Sequence, residues 1–140
     1  MIEVKNLSVQ TSKGVILLDH VEFTLKTGIC TGLTGASGSG KTTLLKALMG
    51  VSDGDVSIHT GQILLDGEDL LKKSEKVWRD LCGTTLGFIP QNPMTAFNRH
   101  VPVGTQMTET FRKRLRLDKN AARKLSMEAL QKVNLLDTDR

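Results

Sequence analysis

The chain has 140 residues, 39% hydrophobic and 4% aromatic, with 19 Lys and Arg against 15 Asp and Glu for a net charge of +4. That length is one ordinary domain with enough apolar side chains for a core, and the charge suits an anionic ligand or an acidic surface without identifying either. No run of 18 apolar residues occurs, residues 1–10 lack a signal-peptide apolar stretch, and Cys30 and Cys82 stand far apart. The expectation is therefore a chain with no membrane span or secretory leader, whose thiols are buried or inert in a reducing cytosol.

Ile2, Val4, Leu7 and Val9 punctuate a polar stretch and predict an edge strand, followed by a turn around Gly14. Residues 15–18 and 21–25 predict two further short strands, and Lys26-Thr27-Gly28 a turn. Residues 29–33 read as a short buried strand. Residues 42–49 read as a helix, with Gly50 as its C-terminal stop.

Between that strand and that helix lies LTGASGSGKTT, residues 33–43. Gly35, four residues, then Gly40, Lys41 and Thr42 fit the phosphate-loop formula G-x-x-x-x-G-K-[ST]. Its glycines open backbone conformations closed to other residues, so that successive N–H groups can converge on an anion. A helix N-terminus adds free N–H groups and a favourable dipole. Lys41 would reach the β- and γ-phosphates, and the Thr42 hydroxyl would hold Mg²⁺. A flexible Gly/Ser linker is the bland alternative, but it gives no reason for Lys-Thr between a strand and a helix.

A polar loop is expected over 52–60, then a strand over 61–65 ending at the Asp66-Gly67 turn signal. Residues 74–82 predict a short helix with Ser74 as N-cap and Val77 and Leu81 facing inward. Residues 86–89 predict a buried strand, and residues 90–102, with Pro90, Pro93 and Pro102, a long loop. Residues 104–117 can be helical. Asp118 would cap a second helix carrying Ala121, Ala122, Leu125, Ala129, Leu130 and Val133 on one face.

Seven basic residues (Arg112, Lys113, Arg114, Arg116, Lys119, Arg123, Lys124) lie near the junction of these helices, with Asp118 the single acid among them. A nucleic-acid or anionic-lipid patch is one reading, but only Phe111 could stack on a base, so the solvated face of two helices is the better account. His20, His59 and His100 have no metal-ligand spacing. Asp19 and Asp66 each follow an apolar run, but Asp19 precedes the phosphate loop and is followed by His20, while Asp66-Gly67 is a hairpin pair. Both read as turn residues.

The stretch LGFIPQNPMTAFN, residues 86–98, predicts a strand ending in Gln91 at the sheet edge where ligands bind. With GASGSGKTT it resembles the ATP-binding subunit of ABC transporters: the first motif is similar to that family's Walker A loop, the second to its Q-loop. Q-x-P-x-x-x-x-N is typical of the importers of oligopeptides, nickel or metal chelates. IEVKNLSV and GQILLDGEDL also stand where the family carries its first strands, so the resemblance runs from Ile2 to about Leu136.

The resemblance implies an α/β P-loop NTPase fold. Residues 1–28 and 58–70 would form the antiparallel β subdomain, 29–50 the Walker A strand–loop–helix, 86–98 the Q-loop and 99–140 the helical subdomain. Gly35, Ser37, Gly38, Ser39, Gly40, Lys41, Thr42 and Thr43 would contact ATP and Mg²⁺. Gln91 would touch Mg²⁺ or the attacking water. The loop over 92–99 would signal to transmembrane subunits, and a second ATP-binding subunit would complete the site, at the inner face of the cell membrane and without nucleic acid.

The family's adenine-stacking aromatic near the first turn has no counterpart: Gln10 and Thr11 fill that region, and no aromatic lies between Met1 and Glu22. The Leu-Ser-Gly-Gly-Gln signature, the Asp-Glu pair after four apolar residues and the switch histidine are not in these 140 residues, and Leu125-Ser126-Met127-Glu128 lacks the signature's glycines. The expectation is an N-terminal portion of the domain that binds nucleotide weakly, turns it over slowly or not at all, and self-associates through uncovered apolar faces. A small P-loop kinase or GTPase and a non-catalytic nucleotide sensor are the competing readings. Asn120-Ala121-Ala122-Arg123 is not the guanine-reading Asn-Lys-x-Asp.

Overall fold

A computed structural model describes residues 1–51 and 54–135, excepting the Thr95 side chain. Residues 136–140 of the expected helical subdomain, and 52–53 of the expected loop, lie outside the described residues. The chain divides into two compact units, Met1–Cys82 and Gly83–Arg140.

The first unit is built on an antiparallel sheet in the order β2-β1-β3-β4: β1 is Ile2–Thr11, β2 Ile16–Leu25, β3 Val56–Leu65 and β4 Glu68–Asp69. β1 is thus interior, not the expected edge, because β3 supplies a second set of partners some fifty residues downstream (Ile2 opposite Leu65, Val4 opposite Ile63). The buried positions of β1 switch parity, from Val4 to Leu7 and Val9. A strict two-residue alternation would send them to opposite faces. The register slips between Val4 and Leu7, where Asn6 takes φ 54°, and this bulge returns all three to one face.

The two strands expected over 15–25 are one. His20 (φ 47°) sits between register-paired Leu18 and Val21, its N–H donating to Ser8 Oγ at 3.0 Å, so the interruption is a kink within β2. The expected loop over 52–60 gives way to strand from Val56, since β1 pairs with it out to Thr11. Asp66 (φ 49°) and Gly67 (φ 86°) form the two-residue turn that the sequence signals, and Asp66 also receives the Met1 ammonium at 2.6 Å.

Helix α1 spans Lys41–Leu48 and puts Leu44 and Ala47 into the core with Val4, Leu7, Val9, Leu18, Ile63 and Leu70. It ends as a Schellman motif: the Gly50 N–H donates to the Ala47 carbonyl, and the Val51 N–H to the Lys46 carbonyl. Helix α2 spans Glu75–Leu81. Ser74 occupies its N-cap position without a side-chain cap bond, and Val77 faces solvent. Leu81 is half-buried as expected, and Trp78 and Cys82 rather than Val77 share its face.

In the second unit, helices α3 (Val103–Leu115) and α4 (Lys119–Lys132) pack as an antiparallel pair. Arg116 in the left-handed conformation ends α3, and Asp118 caps α4 by accepting from the Asn120 and Ala121 N–H groups. Ala122 and Ser126 are the buried residues of α4. Val133, expected inward, is exposed because the helix stops at Lys132.

Candidate functional site

The phosphate loop runs from Gly35 into α1 with the geometry its sequence predicts from Gly40 onward. Gly40 is the N-cap at φ 83°. A Cβ there would lie 2.7 Å from Leu18 Cδ2 and 3.1 Å from the Leu17 carbonyl oxygen. Only glycine fits both the left-handed backbone and that approach to β2. The apolar run ending at Asp19 is therefore the wall against which the loop turns, and Asp19 itself is exposed beside His20.

Intrahelical bonding begins with the Leu44 N–H donating to the Gly40 carbonyl at 2.8 Å. The N–H groups of the first turn thus have no helical acceptor. No side chain caps them and no acidic residue stands in the turn. Converging donors at a positive dipole end, with no competing carboxylate, fit a phosphate group.

Lys41 crosses the loop. Its ammonium donates to the Gly35 carbonyl at 2.9 Å, the Ala36 carbonyl at 2.6 Å and Ser39 Oγ at 3.2 Å. All three donors of a compact point charge are held inside the loop, so the lysine braces the backbone that would wrap a phosphate. Ser37, Gly38 and Ser39 form the exposed crest, and Thr42 is exposed at the second position of α1, where its hydroxyl can reach a phosphate-bound cation.

Two expected elements of the site take other forms. Residues 29–33 are not a buried strand: Ile29 and Leu33 are exposed, and no strand among the described residues pairs with them. Cys30 is exposed with them, so it is not the buried alternative of the expectation, and Cys82 is half-buried with its thiol donating to the Met49 carbonyl. Residues 86–89 are likewise not a strand. The Gly83 N–H closes a turn onto the Leu86 carbonyl, and Phe88 and Ile89 are exposed. An isolated apolar segment leaves its peptide groups unsatisfied as a strand unless a neighbour bonds to them. Gln91 lies beyond them in an exposed bend of the second unit, not at a strand end.

Downstream of Gln91, Pro93–Ala96 form a short 3-10 turn. Asn98 organises the approach to α3: its Oδ1 accepts the His100 N–H at 2.9 Å, while its own N–H donates to Gln106 Oε1 at 3.0 Å. Gln106, on α3, also donates to the Asn98 carbonyl at 2.9 Å and the Val101 carbonyl at 2.7 Å. Of these bonds only the one to the His100 N–H uses the Asn98 side chain; the clamp from Gln106 holds main-chain atoms. Sequence reasoning missed Gln106, whose signal was only a glutamine one turn into a helix.

Sequence reasoning also missed Trp78. It lines a cleft of about 280 Å³ with Val9, Thr43, Lys46, Ala47, Val51, Val56, Ile58 and Leu71. Among the described residues no cluster of His, Cys, Asp or Glu could hold a metal ion, and no helix is long and apolar enough to cross a membrane.

A glycine loop closed on a helix N-terminus, braced by its own lysine and followed by threonines, defines a P-loop protein. The ABC transporter family model matches residues 18–139, and the chain belongs to that family. It is 34% identical to the dipeptide transport ATP-binding protein DppD of Lactococcus lactis, over 99% of this chain and 41% of that protein. It is 34% identical to the oligopeptide transport ATP-binding protein OppD of Bacillus subtilis, over 96% of this chain and 39% of the relative. It is 30% identical to the nickel import system ATP-binding protein NikD of Staphylococcus aureus, over 99% of this chain and 52% of the relative. The chain thus spans about half or less of the length of these relatives. The family assignment bears out the expected α/β P-loop NTPase fold class.

Proposed function

We propose that this chain binds Mg-ATP at residues 35–43 as the ATP-binding component of an importer whose cargo is a peptide or a nickel or metal chelate. The observation that carries the reading is the braced loop: Lys41 on the Gly35 and Ala36 carbonyls, below an uncapped helix N-terminus. Gly35, Ser37, Gly38, Ser39 and Gly40 supply backbone donors, Lys41 the charge opposite the terminal phosphates, and Thr42 and Thr43 hydroxyls. Bound Mg²⁺ neutralises charge on the β- and γ-phosphates, and Thr42 and Gln91 are its assigned ligands. The cargo class is supported by relatives named for dipeptide, oligopeptide and nickel transport.

The loop over 92–99 is the proposed contact with a transmembrane subunit, at the inner face of a membrane, and a second ATP-binding subunit is the proposed partner across the nucleotide. None of the residues assigned to the site is a carboxylate that could polarise water, so binding without appreciable turnover is expected of this chain alone. Calorimetric titration with Mg-ATP, with phosphate release followed on the same samples, tests this. Wild type binds, Lys41→Ala weakens binding at least about a hundredfold, as loss of a charge-assisted contact network implies, and phosphate release stays at background. Robust turnover would favour a small P-loop kinase or GTPase.

A further inference from the structure

Because α3 and α4 are antiparallel, the C-terminal end of α3 and the N-terminal end of α4 meet at one tip of the second unit, joined by residues 116–118. Lys113 lies in the last turn of α3, and Arg116 in the connection. Lys119 opens α4, and Arg123 follows four residues on, on the same side of the helix. All four are exposed. Arg112 is paired with Glu109 at 2.9 Å, but among the described residues these four cations have no ion-pair partner. Asp118 is the acid of the tip, and its carboxylate is engaged by the Asn120 and Ala121 N–H groups.

Lys119 stands at the positive end of the α4 dipole with no acid in the first helical turn, a position that disfavours a cation. Mutual repulsion among the four charges adds to that cost, and an anionic surface relieves both. Leu115, between Arg114 and Arg116, is 50% exposed at the end of α3. An uncovered apolar side chain within a basic rim suits the boundary of a lipid layer, where the apolar group enters among the headgroups and the cations meet their phosphates. Nucleic acid would satisfy the charges equally, but Phe111, the single aromatic of α3 and α4, is half-buried, and a duplex offers nothing to Leu115.

We propose that the α3–α4 tip docks on an anionic lipid surface: Lys113, Arg116, Lys119 and Arg123 bind headgroup phosphates, and Leu115 enters the headgroup layer. This contact needs neither nucleotide nor a transmembrane subunit, and so goes beyond the importer reading by giving the chain a direct hold on lipid. Each cation near such a surface is worth about a fivefold factor in affinity, so the hold is reversible and weakened by salt.

The full chain, without nucleotide, is mixed with vesicles of phosphatidylcholine alone or of phosphatidylcholine with phosphatidylglycerol, then floated through a density gradient in which aggregated protein sinks. It is expected to float with the anionic vesicles only and to be released by salt. Lys119→Glu with Arg123→Glu should weaken vesicle binding at least about twenty-five-fold, five for each cation lost. Leu115→Ser should weaken it about fivefold, the order for burying half a leucine side chain. Lys119→Glu places an acid where the α4 dipole favours one, so circular dichroism should show the helices retained. Lys13→Glu with Lys26→Glu, the same change in net charge on exposed lysines of the first unit, should leave binding nearly unchanged. Failure to float with the anionic vesicles, or equal loss from the two double variants, would overturn the proposal. Tighter binding to double-stranded RNA than to the vesicles, indifferent to Leu115→Ser, would overturn it in favour of a nucleic-acid surface.

Discussion

Among the described residues, the first unit buries Val4, Leu7, Val9, Leu18, Leu44, Ala47, Ile63 and Leu70, while the second buries only Ala122, Thr108 and Ser126. In the first, three strands and α1 enclose large apolar side chains, and the loop that turns against Leu17 and Leu18 inherits that rigidity. In the second, small and hydroxyl side chains let α3 and α4 approach. Ser126 satisfies itself on the Ala122 carbonyl at 2.8 Å, and a glutamine clamp shapes the loop. Its larger apolar residues, Ile89, Met94 and Phe97 among them, are at the surface. A site that must hold phosphate oxygens to fractions of an ångström belongs on the first kind of scaffold. An exposed apolar loop suits the second, where the proposed contact with a transmembrane subunit would need it.

Cutting into the first core should have the larger effect on stability. Leu7→Ala removes a fully buried side chain under the sheet and is expected to cost about 2–5 kcal/mol. Urea unfolding followed by Trp78 emission would measure it, and a loss below about 1 kcal/mol would mean that the sheet core does not set the stability of this unit. In the second unit, Asp118→Ala removes the cap of α4 and should cost about 1 kcal/mol. Helical circular dichroism during unfolding should register that loss while Mg-ATP affinity stays unchanged. A matching fall in affinity would show that the two units are not separable in function.

The smallest effect is electrostatic. The Lys73 ammonium, bonded to Glu68 at 2.7 Å, holds that carboxyl below its usual 4.5, first through the hydrogen bond and then through charge attraction. A depressed folded pKa means that the pair's contribution is present above 4.5 and fades as pH falls through the lower folded value. Glu68 is fully exposed, so the contribution is slight and screened by salt. A carboxyl titration by NMR should place Glu68 below 4.5 in the wild type and return it toward 4.5 in Lys73→Ala. Identical midpoints would remove the pair from the account.

What could be read from the sequence was local. The loop at 35–43, the Asp66-Gly67 turn, the Gly50 stop and the Asp118 cap each depend on residues within a few positions of one another. What could not be read depends on partners far along the chain. The apolar runs at 29–33 and 86–89 match buried strands in composition, but a run does not name the neighbour that must bond to it. β1 looked like an edge because its second partner, β3, begins only at Val56. Trp78 was passed over because Val77 and Leu81 fit a helical spacing equally well, and only packing on Gly50 fixes the phase of α2.

The claim that nucleotide binding resides in the first unit is tested most directly by titrating Mg-ATP into wild type, Lys41→Ala and Gln91→Ala under one set of conditions. The account predicts that Lys41→Ala weakens binding at least about a hundredfold while Gln91→Ala keeps it within about a factor of ten, the weight of one ligand contact. Equal affinity in wild type and Lys41→Ala would contradict it.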